Sequence, residues 1–525
     1  ARSLTVGDKT ISRDLVPVKS RELAVIALLV LLFDLVVYRG QGYSGYAVGF
    51  VLTPILLWAG APRRGLVLPG LVIGVLLAVL AARMAWLGSV PQLLFGLLLV
   101  AALSRTLAGR TPYVLDTIFA GCLVGLSATY RLPDYAQRRS SGRSLPRAGW
   151  LKVLMPAVVV LMFGVVFIQA NPDLKTTIDE ILRSGWDWIT ALLGDLFPSL
   201  PRLLCWLAVA WLSIGLLRPI ALPRALGWLG PVVDGRTTVA EDDNATVLIP
   251  AFCNTLLAVN LLFAVYLVFE FQTLWFREFP TGFYFAGYAH QGAAWLTVAL
   301  AMATLLLSAI FRGRVLGDAR LGRLKRLAWV WSGLNLLLAV AVYHRLSIYI
   351  DFNGMTRMRT VGLVGVTTVL VGFVLVVWKI ARNRGFLWLI ERQLWALVMG
   401  LYLLTVLPID ALIQQYNVRR ILSGDPAPVV QITEHEVDAG GLAALEPLLK
   451  VNDVVIQRGI AARLFQAHEQ LSYTPLDQQH WTARQGAERR LLDQLAVELP
   501  RLTALAGEDR DARWQSLRDY AFQWY

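Results

Sequence analysis

Long apolar runs broken by short polar stretches make up most of the 525-residue chain. Runs of roughly 16 to 24 residues, each long enough as a helix to cross about 30 Å of hydrocarbon, fall at 22–38, 45–61, 66–86, 91–108, 151–170, 203–221, 246–271, 293–311, 327–344, 361–380 and 386–407. Many lack the polar stripe that a core helix of a large soluble enzyme turns toward water. A weaker run, Tyr113 to Tyr130, contains Asp116 and three small residues, Gly121, Gly125 and Ser127. The pattern predicts an all-α, polytopic helical membrane protein of about 11–12 spans.

Two regions break this pattern. In 173–196, Leu174, Ile178, Leu182, Trp186, Ile189 and Leu193 recur at three- and four-residue spacing with charged residues between them. That is an amphipathic helix, lying at the outer interface with its tryptophans at headgroup depth or packed on an extramembrane domain. Near the other end, "GDPAPVV" reads as a linker. The stretches "DAGGLAALEPLLKV", "IQRGIAARLFQAHEQL", "WTARQGAERRLLDQLAVELPRL" and "RDARWQSLRDYAFQW" that follow each show helical periodicity. The expected organisation is an N-terminal tail (1–21), N-terminal membrane helices (22–130), a basic loop (131–150), a core membrane domain (151–420) and a small C-terminal α-helical extramembrane domain (421–525).

Composition agrees: 56% of residues are hydrophobic and 16% charged, against about a quarter charged in soluble domains. The net charge of +13 is unevenly placed. From Ile421 onward ten Lys and Arg face fifteen Asp and Glu, so this tail is −5 and the rest +18. The basic excess gathers in short loops. Six Lys or Arg lie in 312–326, six in 131–152, three each in 218–236 and 379–384, and five in the N-terminal tail. Such loops stay cytoplasmic, which puts the N-terminus inside and the C-terminal domain outside. Arg63 with Arg64 and Arg105 with Arg110 also belong inside, so both flanks of 113–130 face the cytoplasm. That run is then a re-entrant or interfacial hairpin, or else a crossing that violates the charge rule. The first apolar run lacks a small-residue cleavage site and reads as a retained span. No basic helix or aromatic-interleaved patch suits nucleic acid. The three cysteines, Cys122, Cys205 and Cys253, lie in apolar runs without metal-ligand spacing or a disulfide framework.

Candidate chemistry gathers in three polar segments: 269–292, 343–362 and 407–420. Two spans separate each from the next, so all three emerge on one face whichever way the chain inserts. Charges near hydrocarbon are costly unless paired or wetted. Arg345, Arg357 and Arg359 are therefore expected to meet Glu270, Asp351 and Asp410, because an arginine fork matches a carboxylate. Arg419 closes the cluster, and His290 and His344 are candidates for proton handling. "DFNGMTR" predicts a turn at Asn353-Gly354 and a helix N-cap at Thr356. Two readings stay open: the cluster stitches helix ends together, or it takes an anionic headgroup, phosphate or carboxylate. Asn254 and Asn260 line a polar path or act as interhelical glue, and Asp34 and Asp116 are in-membrane acids with no evident partner. No nucleotide loop, metalloprotease helix or serine elbow is present. No catalytic residue, metal or cofactor is assigned.

At the polar segments the chain resembles a bacterial membrane-protein family catalogued as domain of unknown function 4153, with 4173 a close relative. The likeness lies in "LMFGVVFIQANPDL", "FQTLWF", "FYFAGYAHQGAAWL", "YHRLSIYIDFNGMTRMR" and "PIDALIQQYNVRR". Tyr288, Ala289, His290 and Gly292 match one family pattern, and Arg345, Tyr349, Gly354, Thr356 and Arg359 match the spacing of another. The residue before Gly292, often charged in the family, is Gln291 here. The resemblance covers roughly 150–420 and implies a polytopic protein of the bacterial cytoplasmic membrane with a helical tail and no established activity. The reading that follows is a non-enzymatic sensing or scaffolding component that engages the lipid bilayer and a protein partner through its C-terminal domain. The alternative is a transporter or lipid-handling protein that binds an anionic substrate at the cluster. Oligomeric state stays open.

Overall fold

The computed structural model describes residues 17–62, 65–137, 160, 176–181, 183–184, 199–220, 224–226, 244–276, 285–310, 321–382, 384–473 and 478–524. Among them there are helices, turns and no strands. The helices are α1 (Ser20–Phe33), α2 (Tyr43–Gly60), α3 (Val67–Trp86), α4 (Val90–Leu107), α5 (Val114–Cys122), α6 (Val124–Gln137), α7 (Leu200–Leu217), α8 (Asn244–Trp275) and α9 (Phe285–Ile310). After them come α10 (Leu321–Asn353), α11 (Arg357–Arg382), α12 (Phe386–Val406), α13 (Ile409–Leu422), α14 (Val429–Glu434), α15 (Ala439–Ala443), α16 (Val454–Ser472), α17 (Gly486–Ala506) and α18 (Arg510–Ala521).

Eight described helices are long and apolar enough to cross a membrane: α2, α3, α4, α7, α8, α10, α11 and α12. In α8, α11 and α12 only 17% of the apolar window is buried inside the protein. In water this would leave apolar patches far beyond the few hundred Å² that soluble proteins tolerate, so these faces are lipid-facing. The chain is a polytopic, all-α membrane protein. The expected span 22–38 is α1 continued by a π-helical turn, Asp34–Tyr38. The expected span 293–311 is the apolar part of α9. Run 113–130 forms the nine-residue α5 and the start of the fourteen-residue α6, which meet at Leu123 with its N–H on the Phe119 carbonyl at 3.0 Å and its carbonyl on the Ser127 N–H at 2.9 Å. The expected span 151–170, most of the amphipathic segment 173–196 and most of the basic loop residues of 131–152 and 312–326 lie outside the described residues.

The chain divides into two compact units, one of residues 1–81, 96–112 and 117–222, the other of 82–95, 113–116 and 223–525. In the first, α7 packs on α1 and α6. A Cβ on Gly215 would sit 2.2 Å from the Val124 carbonyl oxygen, so only glycine permits that approach. Two buried acids lock the unit. Glu22 takes Arg218 through Nε at 2.8 Å and Nη2 at 2.9 Å, with the Tyr135 hydroxyl at 3.1 Å. Asp34 takes both arms of Arg202 at 2.7 and 2.6 Å, the Trp206 indole N–H at 2.9 Å and Arg39 at 3.0 Å.

In the second unit α10 packs against α8, α9 and α11, and α12 against α11. Leu256, Leu307, Leu324, Trp331, Phe373 and Val376 fill the core between them. The terminal helices α16, α17 and α18 close around Ile460, Leu464, Leu491, Leu502 and Leu517. A Cβ on Gly459 would fall 2.4 Å from Leu517, which fixes the close crossing of α16 and α18. That terminal core also includes Val418 and Ile421 of α13 and Val429 and Ile432 of α14. The packing therefore runs without a break across residue 421.

Candidate functional site

The polar cluster is built around a three-residue turn. α10 ends at Asn353, and the Ile350 carbonyl accepts the Gly354 N–H at 2.8 Å. Gly354 has φ +99°, a left-handed backbone that glycine adopts without strain. A Cβ there would also meet Asn417 Oδ1 at 2.6 Å. Thr356 Oγ1 accepts the Arg359 N–H at 3.3 Å and so caps α11.

Helix α13 grips this turn from both sides. Asn417 Oδ1 accepts the Met355 N–H at 2.7 Å while its Nδ2 donates to the Met355 carbonyl at 3.0 Å. Arg420 donates to the Ile350 and Asp351 carbonyls at 2.7 and 2.6 Å. Both lie in the last turn of α10, where carbonyls run out of partners within the helix, and the Ile350 carbonyl takes Arg420 in addition to the Gly354 N–H. Arg420 is held in turn by Asp425, with Nε at 2.9 Å. The Asn353 amide reaches the Trp524 carbonyl near the end of the chain at 3.4 Å. Because Asp410 meets the start of α11 and Arg420 the end of α10, α13 lies across both helix ends.

The charged residues sort as follows. Arg345 meets Glu270 at 2.5 Å, both buried, and the Tyr266 hydroxyl donates to the same carboxylate at 2.9 Å. Arg357 forms a two-bond pair with Asp410, one arm at 2.6 Å, though its side chain stays 57% exposed. Asp410 also accepts the Asp438 N–H at 2.9 Å. Arg359 departs from expectation: no carboxylate meets it among the described residues. It donates to Asn353 Oδ1 at 2.5 Å and to the Gly354 carbonyl, and stacks on Tyr349 with 3.6 Å to the ring centroid. A planar guanidinium is satisfied by carbonyl oxygens and an aromatic face as well as by an acid. Asp351 is exposed, with the Tyr416 hydroxyl 3.5 Å from its carboxylate. Arg419 is exposed and makes no ion pair among the described residues. His344 stacks on Trp275 at 4.3 Å, and Trp275 on Phe271 at 4.4 Å. The His290 side chain lies outside the described residues.

Asn353, expected in the turn, and Asn417, within the third polar segment, together bind it; sequence reasoning passed over Asp438, which caps α15 by accepting the Gly441 N–H at 2.8 Å. Burial pushes the Asp438 carboxyl up from its ordinary value and the neighbouring Asp410 charge adds to this, against the pull of Gly441, Arg83 and Arg357. The readable signal for Asn417 was the recurrence of Asp410, Gln414, Asn417 and Ile421 on one buried side of α13. Asp34 has its arginine partner, contrary to the expectation, and Asp116 accepts the Ala225 N–H at 2.8 Å. Among the described residues no three His, Cys, Asp or Glu side chains converge to hold a metal ion.

A family model described as a domain of unknown function, DUF4153, matches residues 23–446. The chain belongs to the DUF4153 family. No curated protein and no solved structure matches it. The DUF4153 match begins at 23, so the N-terminal helices belong to the family region as well as the 150–420 stretch that carried the resemblance. It ends at 446, so the family region holds the whole cluster, α13, α14 and α15, and leaves α16, α17 and α18 beyond it.

Proposed function

We propose that this integral membrane protein is a non-enzymatic sensing or scaffolding component, in which the polar cluster couples the spanning helices to a terminal bundle that engages a partner protein. The observation that carries this reading is the turn 354–356. Its backbone and the flanking helix ends are held by Asn417, by Arg420 and, through Asn353, by the Trp524 carbonyl. Motion of α10 or α11 would be passed directly to the terminal helices. Of the cluster's buried charges, Arg345 and Glu270 are spent on each other and Arg359 on carbonyl oxygens and the Tyr349 ring, as expected of a joint. The same helices also meet the loop between α3 and α4, where the Gly88 N–H donates to Gln485 at 2.8 Å.

The bacterial cytoplasmic membrane is the location the family resemblance implies, and the loop charges favour the terminal bundle on its outer side. Chemical cross-linking of the full chain in native membranes tests the role. We expect a protein partner attached through 454–524, and its loss when Asn417→Ala loosens the joint. A partner-free chain would overturn the reading. A second reading, an anionic ligand, is favoured by one feature. Arg419, near the end of α13, is exposed and makes no ion pair among the described residues. Loss of lipid or anion binding in Arg419→Gln, with folding intact, would favour it instead.

A further inference from the structure

Midway along α8 and α10, three buried side chains keep a hydrogen-bonding atom that no described group meets. They are Asn260 Oδ1, Trp331 Nε1 and Asn335 Oδ1, on residues 6%, 1% and 0% exposed. The other halves of the two amides are used. Asn260 Nδ2 donates to the Leu327 carbonyl at 3.1 Å, and Asn335 Nδ2 to the Trp331 carbonyl at 2.8 Å.

The register brings the three together. Leu327, Trp331 and Asn335 succeed one another at four-residue steps on one side of α10. Asn260 lies against Leu327, and Phe263, one turn further along α8, packs on Trp331 at 4.3 Å between ring centroids. By residue register Trp331 thus stands on α10 between Leu327, which meets Asn260, and Asn335, about 5.4 Å of helix rise from each. All three residues lie well inside the apolar windows Pro250–Thr273 and Gly322–Asn353. At that depth no bulk water reaches them and an unmet polar atom is most costly.

The set is one N–H donor and two acceptor oxygens. A cation would face the N–H, an anion would face the oxygens, and an apolar guest would leave all three unmet. A water molecule accepts from the indole and donates to the amides, so it fits this set. We propose that the α8–α10 interface binds ordered water at membrane depth on Asn260, Trp331 and Asn335. The polar line continues toward the turn: Tyr266, on the side of α8 that holds Asn260 and Phe263, donates to Glu270, which accepts Arg345.

X-ray radiolytic labelling of the full chain in lipid nanodiscs in heavy-oxygen water tests this, because bound water oxidises side chains that bulk water cannot reach. After correction for the higher intrinsic reactivity of indole toward hydroxyl radical, Trp331 takes up heavy oxygen severalfold faster than Phe373, a similarly buried neighbour in the same core. Replacing both amides, Asn260→Leu with Asn335→Leu, lowers Trp331 labelling to the Phe373 level. Trp331 labelling no faster than Phe373, or unchanged in the double variant, overturns the proposal. Should the double variant fail to fold, the wild-type comparison alone decides.

Discussion

Removing the Arg345 charge while leaving Glu270 in place should strip a buried carboxylate of its counter-ion. The two meet at 2.5 Å with side chains 8% and 2% exposed, so neither has water to fall back on. Breaking such a pair from one side costs about 3–5 kcal/mol, whereas replacing both partners with apolar groups of similar volume is often neutral or stabilising. Arg345→Met alone should therefore destabilise by about 3–5 kcal/mol. Adding Glu270→Leu to it should recover most of that loss, less about 1 kcal/mol for the Tyr266 hydroxyl left without its acceptor. Steric trapping of the full chain in bicelles measures both. A double variant as unstable as the single one would refute the reasoning. A stable Arg345→Met that lost an anionic ligand would move the pair from joint to binding site.

Three further outcomes follow from the same geometry. Asp438 has its carboxyl raised by burial, so as pH climbs above the ordinary value of 3.8 the unfolded chain gives up its proton first and the folded state loses stability. Asp438→Asn keeps the cap on Gly441, and should raise the thermal midpoint at neutral pH by an amount that fades as pH falls back toward that value. A gain that grew with acidity would contradict this. Gly354→Ala, forced into φ +99° with its Cβ 2.6 Å from Asn417, should cost about 1–3 kcal/mol in the same trapping assay; a change within about 0.5 kcal/mol, typical of featureless surface sites, would count against the turn. With Cys122, Cys205 and Cys253 replaced by serine, single cysteines at Gln415 and Glu508 should react with an impermeant maleimide from one side of the membrane and one at Arg384 from the other. Reaction of Gln415 and Arg384 from the same side would break the topology.

What the sequence disclosed was whatever a local rule controls. Hydrocarbon thickness sets run length, so α2, α3, α4, α7, α11 and α12 stand close to the apolar runs that announced them. The Asn353-Gly354 turn and the Thr356 cap were legible because both depend on adjacent residues. Pairing was harder. Glu22 and Arg218 are 196 positions apart and Asp34 and Arg202 168, and nothing in a hydropathy profile states which helices touch or in what register. Arg359 went to carbonyls and a tyrosine ring because a guanidinium accepts several kinds of partner, a choice that packing makes. No proline or charge lies within 117–130 to mark where α5 gives way to α6.

The core around Ile460 and Leu464 that also takes in Val418 and Ile421 has a practical corollary. A fragment stopped at the apparent linker "GDPAPVV" would bare two greasy side chains and strip Arg420 and Asp410 of Asp425 and the Asp438 amide. Such a stump would be a substrate for quality-control proteolysis. Anyone dividing this chain for expression should cut elsewhere, because the membrane part and its tail stand or fall together.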